Sequence, residues 1–143
     1  MTVKAILSQK GTNVVTIEPT ATLFKAVATM TDNRIGAVVV TGADEQVVGI
    51  LSERDIVGAL AERGASALEE PVGQVMTRKV VTCGESQTVG EIMETMTAGK
   101  FRHVPVLDRG RLAGIISIGD VVKFRLGEME HESKALREYI LTA

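Results

Sequence analysis

The chain has 143 residues, 45% hydrophobic and 24% charged, with a formal net charge of −2. That length can bury a real core. The near-zero charge gives no general pull toward nucleic acid or anionic membrane. Three Phe, one Tyr and no Trp are too few to build a base-stacking surface. A single cysteine, Cys83, cannot form an internal disulfide, which favours a reducing compartment. The opening residues, MTVKAILSQKG, lack the apolar run of a signal peptide. Runs such as AVVV at 37–40 are too short to cross a bilayer. The expectation is a soluble, cytoplasmic protein of the α/β (mixed α+β) class.

The sequence repeats itself. Residues 15–57 align with 81–122 if one position is dropped near Gly42. Identical pairs include Val15/Val81, Thr16/Thr82, Met30/Met96, Gly49/Gly114, Ser52/Ser117 and Asp55/Asp120. Upstream, VKAIL at 3–7 is echoed by VGQVM at 72–76. A repeat of this length sets the architecture.

In chain order, each copy opens with a short helical turn, at 3–8 and again at 71–77, where Pro71 suits a first helical position. A β run follows, NVVTI at 13–17 and KVVTC at 79–83. Then comes an amphipathic helix, with Leu23, Val27 and Met30 on one face in the first copy. Val89, Met93 and Met96 are their counterparts. Thr20 and Ser86 are the expected N-caps. Two β runs come next, AVVV with VVGIL and HVPVL with LAGII, joined by GADEQ at 42–46 and DRGR at 108–111. A second helix starts at each serine. In the first copy it should turn Ile56, Val57 and Leu60 inward and stop at Gly64. ASALEE at 65–70 reads as a polar connector. The tail from Lys123 repeats nothing and carries Met129, Leu136 and Ile140 near one helical face. That face packs either on its own domain or on a second subunit. The divisions are 1–66, 67–126 and a helical tail at 127–143. Two units of this size are marginal alone. They should pack with approximate two-fold symmetry and enclose two equivalent clefts.

The closing phrase of each copy, GILSERD at 49–55 and GIISIGD at 114–120, is the candidate for chemistry. Ser-x-x-Asp at a helix start is first of all a cap. The strand that runs into it adds a second possibility. A strand-to-helix turn aims several free N–H groups at one point, which suits a phosphate. The serine hydroxyl joins that cradle, and the carboxylate one turn on could accept two ribose hydroxyls. Flanking aliphatic strands would wall a flat base.

These two copies, each ending in Gly-hydrophobic-x-Ser-x-x-Asp, resemble a tandem pair of CBS domains, a Bateman module. The resemblance covers residues 1 to about 126. It implies two β-α-β-β-α repeats with pseudo-two-fold symmetry plus a C-terminal helix. It also implies an adenine nucleotide as regulatory ligand, with Ser52 and Ser117 toward phosphate and Asp55 and Asp120 toward ribose. The base would lie by Thr16 and Ile17 with Ala37 and Val38, or by Thr82 and Cys83 with Val104 and Pro105. Arg102 and His103 match the basic positions that reach for phosphate in the second copy. The first copy has Gly36 and Ala37 there, so it should hold less phosphate charge or none. Arg34 and Arg54 lie nearby, and Arg54 sits in a first helical turn, where the dipole disfavours a cation. AMP is the first expectation, with ATP, ADP or NAD(H) as the others, and S-adenosylmethionine shares the adenosine. The resemblance further implies a homodimer that signals ligand state to another protein. The competing reading is a ligand-independent interaction module in which both Ser-x-x-Asp phrases are only caps.

Catalytic chemistry finds no support in the sequence. His103 and His131 are the only histidines and have no metal-ligand spacing with Cys83. Cys83 reads as a small buried hydrophobe. No G-x-G-x-x-G and no phosphate loop of the GK[ST] type is present. The expectation is no enzyme, no metal, no catalytic cofactor, no membrane span and no nucleic-acid partner.

Overall fold

A computed structural model describes residues 1–142. Helix α1 (Val3–Lys10) leads through β1 (Thr16–Ile17) and α2 (Leu23–Asn33) to β2 (Ala37–Thr41), β3 (Val47–Ser52) and α3 (Glu53–Arg63). Helix α4 (Val72–Val75) opens the second half, followed by α5 (Val89–Gly99), β4 (His103–Asp108), β5 (Arg111–Ser117) and α6 (Ile118–Thr142). The fold is mixed α/β with two small sheets. In one, β1 runs parallel and β3 antiparallel to β2. The other is the β4–β5 hairpin, with a single parallel bridge from Cys83 to Val106 where a strand was expected over 79–83. Cys83 N–H donates to Pro105 C=O and Cys83 C=O accepts from Leu107 N–H. The residues before it peel away from that sheet to wall a cleft.

Each half completes its core with the other half's short helix. Val3, Ile6 and Leu7 of α1 pack with Val89, Ile92, Met96, Val104 and Ile116. Val72 and Met76, at and just past α4, pack with Leu23, Ala26, Val38 and Leu51. The backbone repeats this exchange. Val3 N–H donates to Gln87 C=O and Lys4 N–H to Glu85 C=O, while Val72 N–H donates to Ala21 C=O and Gly73 N–H to Pro19 C=O. The packing units are therefore offset from the sequence units by one helix.

The exchange explains two local departures. Helices α2 and α5 start two residues later than expected, with Thr22 and Thr88 as N-caps in place of Thr20 and Ser86. A turn closed by Ala21 N–H to Glu18 C=O, and its counterpart from Gln87 N–H to Gly84 C=O, presents the carbonyls that take the incoming helix and delays the first helical turn. Gly49 and Gly114 also find their reason here. A Cβ on Gly114 would lie 2.6 Å from Leu7 Cδ2, and one on Gly49 would overlap Met76. These glycines of the repeated phrase admit the exchanged helix.

Helix α3 stops at Gly64, whose φ of 69° suits glycine. Its inward residues are Ile56 and Ala59. Val57 and Leu60 are exposed, against the expectation, because the helix turns its small Ala59 side toward the 3-10 helix Gly64–Glu69 with its buried Ala67. The stretch read as a polar connector is that 3-10 helix. Helix α6 continues without a break from the serine phrase through the tail.

Candidate functional site

The Ser-x-x-Asp phrases are complete caps. Ser52 Oγ accepts from Asp55 N–H at 3.4 Å, and Asp55 Oδ2 accepts from Ser52 N–H at 2.9 Å. Ser117 and Asp120 repeat this at 3.1 and 2.9 Å. The first helical N–H is also taken: Glu53 N–H donates to Gly36 C=O and Ile118 N–H to Arg102 C=O. The expected cradle of several free N–H groups is therefore mostly consumed. Among the described residues only the N–H of Arg54 or Gly119 is left in each turn to meet an anion.

The two carboxylates have different neighbours, and the exchanged helices cause it. Continuing the upstream echo to VKAILSQK and VGQVMTRK pairs Ser8 with Thr77 and Lys10 with Lys79. Helix α1 stays helical to Lys10, and Lys10 Nζ reaches both Asp120 Oδ2 at 2.5 Å and Ile115 C=O at 2.8 Å. Helix α4 ends at Val75, and Thr77 instead bridges to Ile50. Thr77 Oγ1 then donates to Asp55 Oδ1 at 3.2 Å, and Lys79 makes no ion pair among the described residues. Burial alone would raise Asp120, but the hydrogen bonds from Lys10 and from Ser117 N–H hold its carboxyl below the usual range. Asp120 is thus closed by an internal cation, whereas Asp55 meets only neutral donors.

A cleft of about 530 Å³ opens on the Asp55 side. This lies within the roughly 300–1,000 Å³ of small-molecule sites. The wall from the first half carries Ala37, Ser52, Glu53, Arg54 and Asp55. The facing wall carries Thr77, Lys79, Val80 and Val81, then Lys100 to His103. Arg54, Lys79, Lys100 and Arg102 make no ion pair among the described residues. Four free cations outnumber Glu53 and Asp55 in a chain whose net charge is negative. His103 is pushed below its ordinary value by burial, then by Lys10, with Asp120 and Glu53 opposing, which favours its neutral form.

Lys100 ends α5 in the left-handed conformation, φ 58°, as Arg34 ends α2 at φ 55°. A long side chain in that region costs on the order of 1 kcal/mol. At Lys100 the turn delivers a cation to the cleft wall.

The structure brings together Ala37, Ser52, Arg54, Asp55, Arg102 and His103. Arg102 and His103 thus face the first copy's aspartate. Ser117 and Asp120 lie half-buried on the Lys10 side, outside this lining. Ile17, Val38, Cys83, Val104 and Pro105 are buried among the sheets and helices. Burial pushes the Cys83 thiol up to about 11. Thr16 and Thr82 are exposed away from the cleft. Sequence reasoning missed Thr77, Lys79 and Lys100. The echo, continued three residues beyond Leu7 and Met76, points to the first two. The basic pair Arg34/Lys100 in the repeat points to the third. Among the described residues no helix is long and apolar enough to cross a membrane, and no group of three His, Cys, Asp or Glu could hold a metal.

Two stretches, 3–62 and 72–127, match the CBS domain family model. A solved CBS-domain containing protein from Agrobacterium tumefaciens is 52% identical, with a TM-score of 0.84 over 87% of this chain and 92% of its own. A mitochondrial CBS domain-containing protein of Arabidopsis thaliana is 36% identical over 83% of this chain, which spans 60% of that relative's length. A CBS domain protein from Pyrobaculum aerophilum, complexed with AMP, is 29% identical, with a TM-score of 0.75 over 84% of this chain and 89% of its own. A CBS domain pair in complex with 5′-methylthioadenosine and S-adenosyl-L-methionine is 25% identical, with a TM-score of 0.80 over 90% of this chain and 98% of its own. The chain belongs to the CBS-domain family.

Proposed function

We propose that this CBS pair is a regulatory module that binds an adenine nucleotide in the Asp55 cleft and passes the ligand state to a partner protein. The observation that carries the reading is the cluster of unpaired cations facing a carboxylate held by neutral donors. Asp55 can accept the ribose hydroxyls once Thr77 gives way. Ala37, Val80 and Val81 offer apolar surface for the base. Arg54, Lys79, Lys100 and Arg102 supply phosphate contacts, and Arg side chains can make them in pairs. AMP fits with the fewest demands. ADP and ATP would use more of the cations, and NAD(H) would need room beyond this cleft. The adenosine ligands of two solved relatives support the class of ligand.

The cleft is lined from both halves, so a bound nucleotide favours one spacing of the two cores over another. A partner that recognises that spacing reads the nucleotide level. The reading includes a second copy of the chain as partner, a cytoplasmic setting and no catalysis.

Thermal unfolding with AMP, ADP, ATP, NAD(H) and S-adenosylmethionine tests this. A ligand at about 100 times Kd adds about 2.7 kcal/mol. The unfolding entropy is about 0.3 kcal/mol/K for 143 residues, so the expected rise in Tm is about 9 °C. No rise with any of them, in protein freed of bound nucleotide, would favour the ligand-independent module. The complete caps at Ser52 and Ser117 are what support that second reading.

A further inference from the structure

From Val122 onward the last helix carries a stripe that none of the described residues of its own chain covers. All described residues from 129 onward are exposed. Leu126, Met129, Leu136 and Ile140 stand at 53%, 51%, 59% and 64% exposure. With Val122 and Ser133 they fall at 122, 126, 129, 133, 136 and 140. Steps of four and three alternate without a break, the 3.5-residue period of a coiled-coil seam, over about 27 Å. In this register Leu126, Ser133 and Ile140 take one core position of the heptad, and Val122, Met129 and Leu136 the other.

The flanking charges select the occupant. Arg125 and Glu132 precede the first set of core residues, and Lys123, Glu130 and Arg137 follow the second. If a second copy lies parallel and in register, Glu132 of each helix meets Arg137 of the other, and Arg125 meets Glu130. Arg125 is also held by Glu128 of its own chain at 3.0 Å, so the free pair is Glu132–Arg137. An antiparallel copy on the same stripe would set Glu132 against Glu132, Glu130 against Glu130, and Lys123 against Arg137. Every one of those pairs repels.

We infer that two copies of the chain join along this stripe of α6 as a parallel, in-register two-stranded coiled coil. The inference deepens the homodimer part of the function proposed above and is independent of its nucleotide part. Apart from the half-buried Arg125, seam and charges lie on exposed residues, so Glu132, Ser133 and Arg137 can be altered without touching either core.

The test uses the full chain with Ser133→Cys, since Cys83 is buried. A parallel, in-register pair brings the two 133 positions together, and mild oxidation should give a disulfide-linked dimer. The antiparallel arrangement sets 133 against 129. It would leave Ser133→Cys unlinked but join it to Met129→Cys in a mixture. Glu132→Lys should loosen the dimer about fivefold or more in sedimentation, and adding Arg137→Glu should restore it. Circular dichroism and Tm should show both variants folded. A stable dimer with no 133–133 link would overturn the coiled coil while leaving homodimerisation standing. A monomer at tens of micromolar would overturn both.

Discussion

Replacing Ile6 by Ala tests the exchange of short helices between the two halves. Ile6 belongs by sequence to the first copy, yet it is fully buried in the core formed by α5, β4 and β5. Removing that much buried side chain costs about 2–5 kcal/mol through lost transfer energy and the cavity left behind. With an unfolding entropy of about 0.3 kcal/mol/K, the expected fall in Tm is about 7–17 °C. The size of the fall does not say where the damage lies. Hydrogen exchange does: protection should drop first in residues 89–116, while 23–41 keep theirs. Met76→Ala, whose side chain packs in the first half's core, should give the mirror-image pattern. Ile6→Ala with protection lost mainly over 23–41 would refute the crossed packing.

Gly114→Ala pushes a methyl against Leu7 and should cost about 1–3 kcal/mol. Combining it with Leu7→Ala should cost less than the sum of the two, a non-additivity read from a double-mutant cycle of denaturant midpoints. Lys10→Met should change the pH dependence of stability. The folded-state pKa of Asp120 is depressed, so its contribution is full above the unfolded value near 3.9 and fades as pH falls through the folded value. Wild type should lose more stability than Lys10→Met below about pH 4, and the two curves should converge there. Cys83, buried and with its thiol pushed up to about 11, should resist a thiol reagent at pH 8 until the protein unfolds. Rapid labelling of native protein would contradict that.

The repeat made much of the fold legible. Doubling of the phrase at Gly49 and Gly114 foretold equivalent elements, and Gly64 marked the end of α3 as read. The crossed helices were not legible. Val3, Ile6 and Leu7 announce a buried face, but which core receives it depends on contacts some 80 to 110 residues away. The same distance hid the Lys10–Asp120 pair, and with it the difference between the two aspartates. Arg102 and His103 lie beside the second copy's motif, His103 paired with Ser117 and Arg102 C=O accepting from Ile118 N–H, but the sequence did not show that they also wall the cleft holding Asp55. The expected strand at 79–83 has the right residues for one. Val81 is 42% exposed in the cleft wall, and a lone bridge at Cys83 is all that joins the sheet. Local propensity does not decide such an edge; the geometry of the opposing half does.

The most direct measurement is calorimetric titration of wild type, Asp55→Ala and Asp120→Ala with whichever adenine nucleotide raises Tm most. The account predicts that Asp55→Ala abolishes the binding isotherm. It predicts that Asp120→Ala, whose aspartate is already closed by Lys10, binds with affinity within a few-fold of wild type. Loss of binding in Asp120→Ala with Asp55→Ala unaffected would contradict it.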